Sequence, residues 1–79
     1  MTLYTRLLVY PEGDRQEIGH SLSFGAVVDL NGNPMVFPLP SSRMIAYRVS
    51  SIRTREKTGE SITEYGLERL TEPELAEYT

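Results

Sequence analysis

The segment 44–70, MIAYRVSSIRTREKTGESITEYGLERL, constrains the fold most, because it predicts two long β-strands joined at Thr58-Gly59. Gly59 suits the positive φ that a tight hairpin turn requires. A turn at these residues sets Arg53 opposite Glu64. Opposed residues of an antiparallel pair share a face, and a pair of opposite charges there stabilises by about 0.2–1 kcal/mol. The segment therefore predicts a long hairpin with a defined register.

The register holds along the whole hairpin only with a β-bulge at Ser50-Ser51, opposite Gly66. A bulge adds one unpaired residue, and glycine often marks such positions. The predicted inner face is apolar and consists of Ile45, Tyr47, Val49, Ile52, Tyr65 and Leu67. The predicted outer face is charged and consists of Arg48, Arg53, Arg55, Glu64 and Glu68.

A helix over 61–70 is the alternative for the second half of this segment. Glu60, Glu64 and Glu68 recur at a spacing of four residues, which places them on one side of a helix. A central Gly66, the β-branched Ile62 and the charge match across the hairpin favour the strand.

The N-terminal half of the chain shows shorter alternating stretches. Strands are predicted over 2–10, 15–24, 26–30 and 35–37. Ile18, His20, Leu22 and Phe24 would share the inner face of the second strand. Turns are predicted at 11–14 and at Asn31-Gly32-Asn33, where glycine and asparagine suit tight backbone angles. The segment 38–42 predicts an extended connector.

A short helix is predicted at 72–78. Thr71 can cap its N-terminus, Pro73 suits the first turn, and Glu74 completes a capping box. The whole chain, 1–79, therefore predicts a single mainly β domain. We expect five to six antiparallel strands in a meander, forming a small partly open barrel or a bent sheet, with a short C-terminal helical turn.

Size and composition exclude several classes. With 79 residues the chain buries only about 60–65% of its unfolded surface, so a partner or a second copy would help stabilise it. There is no cysteine, which excludes disulfides and cysteine-based zinc sites. No apolar run reaches the roughly 18 residues of a membrane span, and no signal-peptide pattern opens the chain. These features predict a cytoplasmic protein without membrane association.

The sequence offers little for catalysis or for cofactor binding. His20 is the only histidine, and its apolar neighbours on the predicted strand favour a half-buried structural role over that of a general base. The Asn31-Gly32-Asn33 stretch lacks the acidic ligands of a calcium loop and predicts a plain hairpin turn. No phosphate-binding glycine motif is present. We expect a non-enzymatic protein with neither cofactor nor metal.

The remaining candidate function is binding through the hairpin. Long exposed strands can pair with a partner strand or with a second copy, and alternating charges give such pairing its specificity. Arginine and tyrosine are enriched among the residues that dominate interface energies. The sequence therefore predicts a protein–protein interaction or assembly module that binds a protein partner or a second copy of itself as a homodimer. The predicted contact residues are Tyr47, Arg48, Arg53, Arg55, Glu64, Tyr65 and Glu68.

Binding of single-stranded nucleic acid is the alternative. Small barrels hold such strands by stacking bases on aromatic side chains beside a basic groove. Arg48, Arg53 and Arg55 with the two tyrosines would supply these groups. The net charge of −3 and the glutamates opposite the arginines favour a protein partner instead.

Overall fold

Five strands form one sheet that bends into a half-barrel, in a computed structural model that describes all residues from 1 to 79. The elements in chain order are β1 (Leu3–Val9), β2 (Arg15–Ile18), β3 (Val27–Val28), β4 (Tyr47–Lys57), β5 (Glu60–Arg69) and α1 (Glu72–Ala76). The predicted mainly β class with a short C-terminal helix is confirmed.

The long hairpin of β4 and β5 has the register that the sequence predicts. Arg53 pairs with Glu64, and the register shifts between Val49 and Ser51, so that Ser51 lies opposite Gly66. Gly59 has a φ of 77° in the connecting turn. The bulge prediction is confirmed, and the helical alternative for 61–70 is wrong, because β5 extends through Arg69. Cross-strand pairing and β-branched residues outweigh the spacing of the glutamates.

The strand order is β2-β1-β5-β4-β3, which differs from the antiparallel meander predicted from the sequence. The first strand, β1, runs parallel to the last strand, β5, from Leu3 beside Glu60 to Val9 beside Gly66. The other three pairings are antiparallel. A parallel pair joins segments that are distant in the chain, so neither a turn nor a local pattern announces it.

The loop-rich region between β2 and β4 contains less strand than predicted. β2 ends at Ile18 instead of continuing to Phe24, and 35–37 forms no strand. The return from the Asn31-Gly32-Asn33 turn is limited to one bridge, between Val28 and Pro34. Proline has no N–H to donate to a ladder, which shortens the pairing there.

Two apolar clusters cover the base of the hairpin. One contains seven buried residues, which are Leu8, Ile18, Val28, Tyr47, Val49, Tyr65 and Leu67. The other contains five, which are Val27, Leu39, Ala46, Leu70 and Leu75. Adjacent residues such as Val27 and Val28 fall in different clusters, and alternate residues of a strand point to opposite faces, so the clusters lie on the two sides of the sheet.

Two residues predicted for the inner face of the hairpin are not buried. Ile45 is 43% exposed and Ile52 is 42% exposed. Ile45 precedes β4, and Ile52 lies beyond the bulge, where β3 no longer pairs with β4, although its cross-strand neighbour Tyr65 belongs to the first cluster. Alternation assigns a residue to a face of the sheet, but only the neighbouring elements decide whether that face is covered.

Helix α1 is short and well capped. The Thr71 hydroxyl accepts a hydrogen bond from the Glu74 N–H, and the Glu74 carboxylate accepts one from the Thr71 N–H at 3.1 Å. This is the predicted capping box, and the buried Leu75 anchors the helix to the second cluster. The helix ends at Ala76, two residues before the predicted end. No helix in the structure is long and apolar enough to cross a membrane.

Candidate functional site

The outer side of β4 is an open sheet edge over residues 51–57. β3 pairs only with Tyr47 and Arg48. The Gly25 N–H donates to the Val49 carbonyl and the Val49 N–H donates to the Ala26 carbonyl, so contact with this part of the chain ends at Val49. Beyond the bulge no strand lies outside β4, and every residue from 51 to 57 is exposed. The molecule measures 44 × 22 × 16 Å along its principal axes. We call residues 51–57 of β4 the open edge.

Three residues of the open edge direct their backbone groups outward. The residues that flank a two-residue hairpin turn form a hydrogen-bonded pair, and such pairs alternate with non-bonded ones. Lys57 and Glu60 flank the turn, so the alternation leaves Ile52, Thr54 and Glu56 with N–H and C=O groups pointing away from β5. The Leu3 N–H donates to the Gly59 carbonyl at 2.9 Å. This hydrogen bond agrees with the alternation, in which the odd-numbered residues of β5 point their backbone groups toward β1.

The side chains of the open edge are sorted by charge. Arg53, Arg55 and Lys57 alternate along the strand and therefore share one face, and we call them the basic row. Ile52, Thr54 and Glu56 occupy the opposite face. The opposite charges nearest to the basic row come from the next strand, at Glu64 opposite Arg53 and at Glu60 opposite Lys57.

Glu64 holds two arginines from opposite sides. Its carboxylate lies 2.9 Å from Arg55 Nε and 3.4 Å from an Arg15 nitrogen, and its side chain is only 13% exposed. Arg53 lies directly opposite Glu64 and yet forms no ion pair, and Lys57 forms none. A cleft of about 230 Å³ lies among Arg15, Arg53 and Glu64. The basic row and Arg15 together carry four positive charges, against the two negative charges of Glu60 and Glu64.

Arg48 and Glu68, also predicted as contact residues, are engaged within the molecule. Arg48 donates to Glu68 through Nε at 2.7 Å and also through its terminal nitrogen, which reaches Glu74 at 3.2 Å. The hydrogen bond to Glu68 is the main reason why the pKa of Arg48 is raised. Hydrogen bonds from Thr71, followed by the charge of Arg48, lower the pKa of Glu74. This network joins the hairpin base to α1.

Tyr47 and Tyr65 lie in the core. Each is 4% exposed, and Tyr47 packs edge-on against Tyr10 with ring centroids 5.3 Å apart. The sequence suggests these tyrosines as partner anchors, which requires an exposed ring. Neither ring meets that requirement, because both belong to the seven-residue apolar cluster.

His20 and the Asn31-Gly32-Asn33 turn have structural roles. His20 Nε2 lies 3.0 Å from the Gly32 carbonyl oxygen in a half-buried position. The Asp29 carboxylate accepts hydrogen bonds from the N–H groups of Asn31 at 2.8 Å and Asn33 at 3.0 Å. No group of three or more histidine or acidic side chains lies close enough to hold a metal ion.

The chain matches one family model over nearly its whole length. Residues 2–78 match the model of a family described as an uncharacterised Treponema protein. The chain belongs to that family. No curated protein and no solved structure matches the chain. The family's description assigns no activity, so a functional proposal must be based on the geometry of the open edge.

The structure also brings together residues that sequence reasoning missed. Arg15 reaches Glu64 because β2 and β5 flank the same strand, β1. No signal in the sequence could have shown this, since the contact depends on the parallel pairing. Lys57 could have been found, because it continues the spacing of Arg53 and Arg55 by two more residues.

Proposed function

We propose that this protein is a non-enzymatic interaction module whose open edge receives an extended segment of another protein. The unpaired outer side of β4 carries the proposal, because outward N–H and C=O groups form a template for an added strand. Main-chain hydrogen bonds would supply affinity, and the side chains on the two faces would supply specificity.

The charges of the open edge favour a different protein over a second copy. Antiparallel pairing of two copies about Thr54 would set Arg53 of one copy opposite Arg55 of the other. Like charges directly opposite each other destabilise a strand pair. Charged residues on an edge also prevent pairing with unrelated apolar strands. The basic row therefore selects against self-association and against unspecific partners.

Nucleic-acid binding has less support than protein binding. That function requires exposed aromatic rings beside the arginines, because stacking on such rings holds the bases. Tyr47 and Tyr65 are the tyrosines of the hairpin, and both are buried. No observation on the open edge compensates for their loss.

Site-specific photocrosslinking tests the proposal. A photoreactive amino acid replaces Ile52 in the full chain, which is expressed in its native host. A matched probe replaces Glu17, an exposed residue of β2 at the opposite border of the sheet. We expect one discrete protein adduct from the probe at position 52 and none from the probe at position 17.

A blocked edge provides the control. Thr54→Pro removes an outward N–H and inserts a ring that an added strand cannot approach, while the ladder to β5 keeps its hydrogen bonds. Glu56→Pro does the same closer to the turn and provides a second variant if the first folds poorly, which circular dichroism will show. Loss of the adduct in a folded variant supports the proposal. Persistence of the adduct, or equal adducts from both probes, contradicts it.

A further inference from the structure

We propose that the segment received by the open edge is acidic, with carboxylates at alternate positions that lie beside the basic row. This inference rests on the function proposed above and names the chemistry of the partner. An extended segment that pairs with β4 places every second side chain on the face of Arg53, Arg55 and Lys57. Two residues of strand span roughly 6.4–6.8 Å, so acids at alternate positions match the spacing of the row.

The charges around the row are incompletely neutralised. Glu64 is shared between Arg55 and Arg15, and Arg53 forms no ion pair. Lys57 lies opposite Glu60 but forms no ion pair with it. The protein as a whole has a net charge of −3, whereas the basic row itself carries three positive charges. An acidic segment would complete the pairing, because opposite charges on neighbouring strands attract. Arginine in particular binds carboxylates through two parallel hydrogen bonds.

The opposite face of the open edge specifies the intervening residues. Ile52 is 42% exposed there and is followed on the same face by Thr54 and Glu56. A β-branched or aromatic residue pairs best beside Ile52 and Thr54. The expected partner segment is therefore an alternation of acids with β-branched residues, which separates it from a simple acidic tail.

Two synthetic peptides of identical composition test the inference with the full chain. The first has seven residues, with aspartate or glutamate at its second, fourth and sixth positions and valine or threonine between them. The second groups the same acids at one end. In a nitrogen–proton NMR titration, we expect the alternating peptide to shift the amide signals of Ile52, Thr54 and Glu56. The grouped peptide should shift them at least fivefold less at equal concentration.

Substitutions in the row provide the second arm. Arg53→Gln and Lys57→Gln should each weaken binding of the alternating peptide by about 1.5- to 5-fold, because one cross-strand charge pair is lost. The double reversal R53E/K57E should abolish binding. Arg43→Gln makes the same change of charge at an exposed arginine outside the open edge, and it should leave binding unchanged. Raising the salt concentration should weaken binding, since these charges are exposed.

The outcomes separate this inference from the proposed function. One outcome is that the crosslink from position 52 is lost in the proline variants while both peptides bind equally. The edge then binds a partner, but alternating acids are not what it recognises in that partner. If no crosslink forms, the proposed function fails first. If a short oligothymidine shifts the same amides at lower concentration than the alternating peptide, the row recognises phosphates and the inference is overturned.

Discussion

The base and the tip of the long hairpin follow the same pairing rules and yet differ in what covers them. At the base, Tyr47, Val49 and Leu67 are buried, and the two apolar clusters enclose the sheet from both sides. At the tip, all residues of β4 from 51 to 57 are exposed. The base therefore provides the core of a small domain. The tip is stabilised by the pairing of β4 with β5, by the pairing of β5 with β1 and by a few ion pairs.

This difference assigns separate tasks to the two halves. A buried core contributes most of the folding free energy, and edges with little burial are the parts of a protein that open or exchange partners most easily. The bulge at Ser50-Ser51 lies between the two regions, where β4 extends beyond its pairing with β3. Substitutions that are chemically equal at the two ends should therefore have unequal effects.

The largest difference is expected within β1, where Leu8 is fully buried and Leu3 is 64% exposed. Leu8→Ala should lower the free energy of unfolding by about 2–5 kcal/mol, because it leaves a cavity in the first cluster. Leu3→Ala should change it by less than about 0.5 kcal/mol. Urea denaturation followed by circular dichroism measures both. Equal losses would mean that the tip is covered in solution.

Two turn glycines provide the second comparison. Gly32 and Gly59 have φ values of 82° and 77°, and a side chain at either costs about 1–2 kcal/mol. A Cβ at Gly32 would also clash with Leu8 Cδ1, whereas Gly59 faces open space. Gly32→Ala should therefore cost about 1–3 kcal/mol more than Gly59→Ala, owing to overpacking. Thermal melts of the two variants check this, and a larger loss at Gly59 would contradict the packing of the turn on Leu8.

The third comparison concerns ion pairs. Glu64→Gln removes a mostly buried carboxylate that two arginines share, and should cost about 1 kcal/mol after allowance for the exposure of those arginines. Glu72→Gln removes an exposed pair with Arg43 at 3.8 Å and should cost less than about 0.5 kcal/mol. Urea midpoints in low salt measure the difference. If Glu64→Gln stabilises the protein, the cost of burying the carboxylate exceeds its attraction to the two arginines.

The smallest effect is expected from the helix cap at the base. The pKa of Glu74 is lowered by hydrogen bonds from Thr71 and by Arg48, so its contribution to stability is complete above the ordinary carboxyl value of 4.5 and is lost as the pH falls through the lowered pKa. Acid should therefore loosen α1. NMR signals of Leu75 and Tyr78 will report this change between pH 5 and about 2. Glu74→Gln should remove that pH dependence, and a dependence that persists would assign it to another carboxylate.

Much of the hairpin could be predicted from the sequence, and the candidate site only in part. Arg53 and Arg55 were predicted as contact residues, and they lie on the exposed side of the open edge. Tyr47 and Tyr65 were predicted beside them but are buried. Alternation along a strand separates two faces without showing which one the rest of the chain will cover.

Local interactions determined the register of β4 and β5, the bulge opposite Gly66 and the capping box of α1, because each depends on residues that are close in the chain or joined by one tight turn. The tertiary structure alone decided that β1 pairs in parallel with β5 and that Arg15 reaches Glu64. It also decided that β4 extends beyond its pairing with β3, which leaves an open edge. The first two features depend on contacts between residues 49 to 57 positions apart in the chain, and the third on contacts between residues about twenty positions apart. Such contacts form when apolar surface is buried across the whole chain, and no short stretch of sequence encodes them.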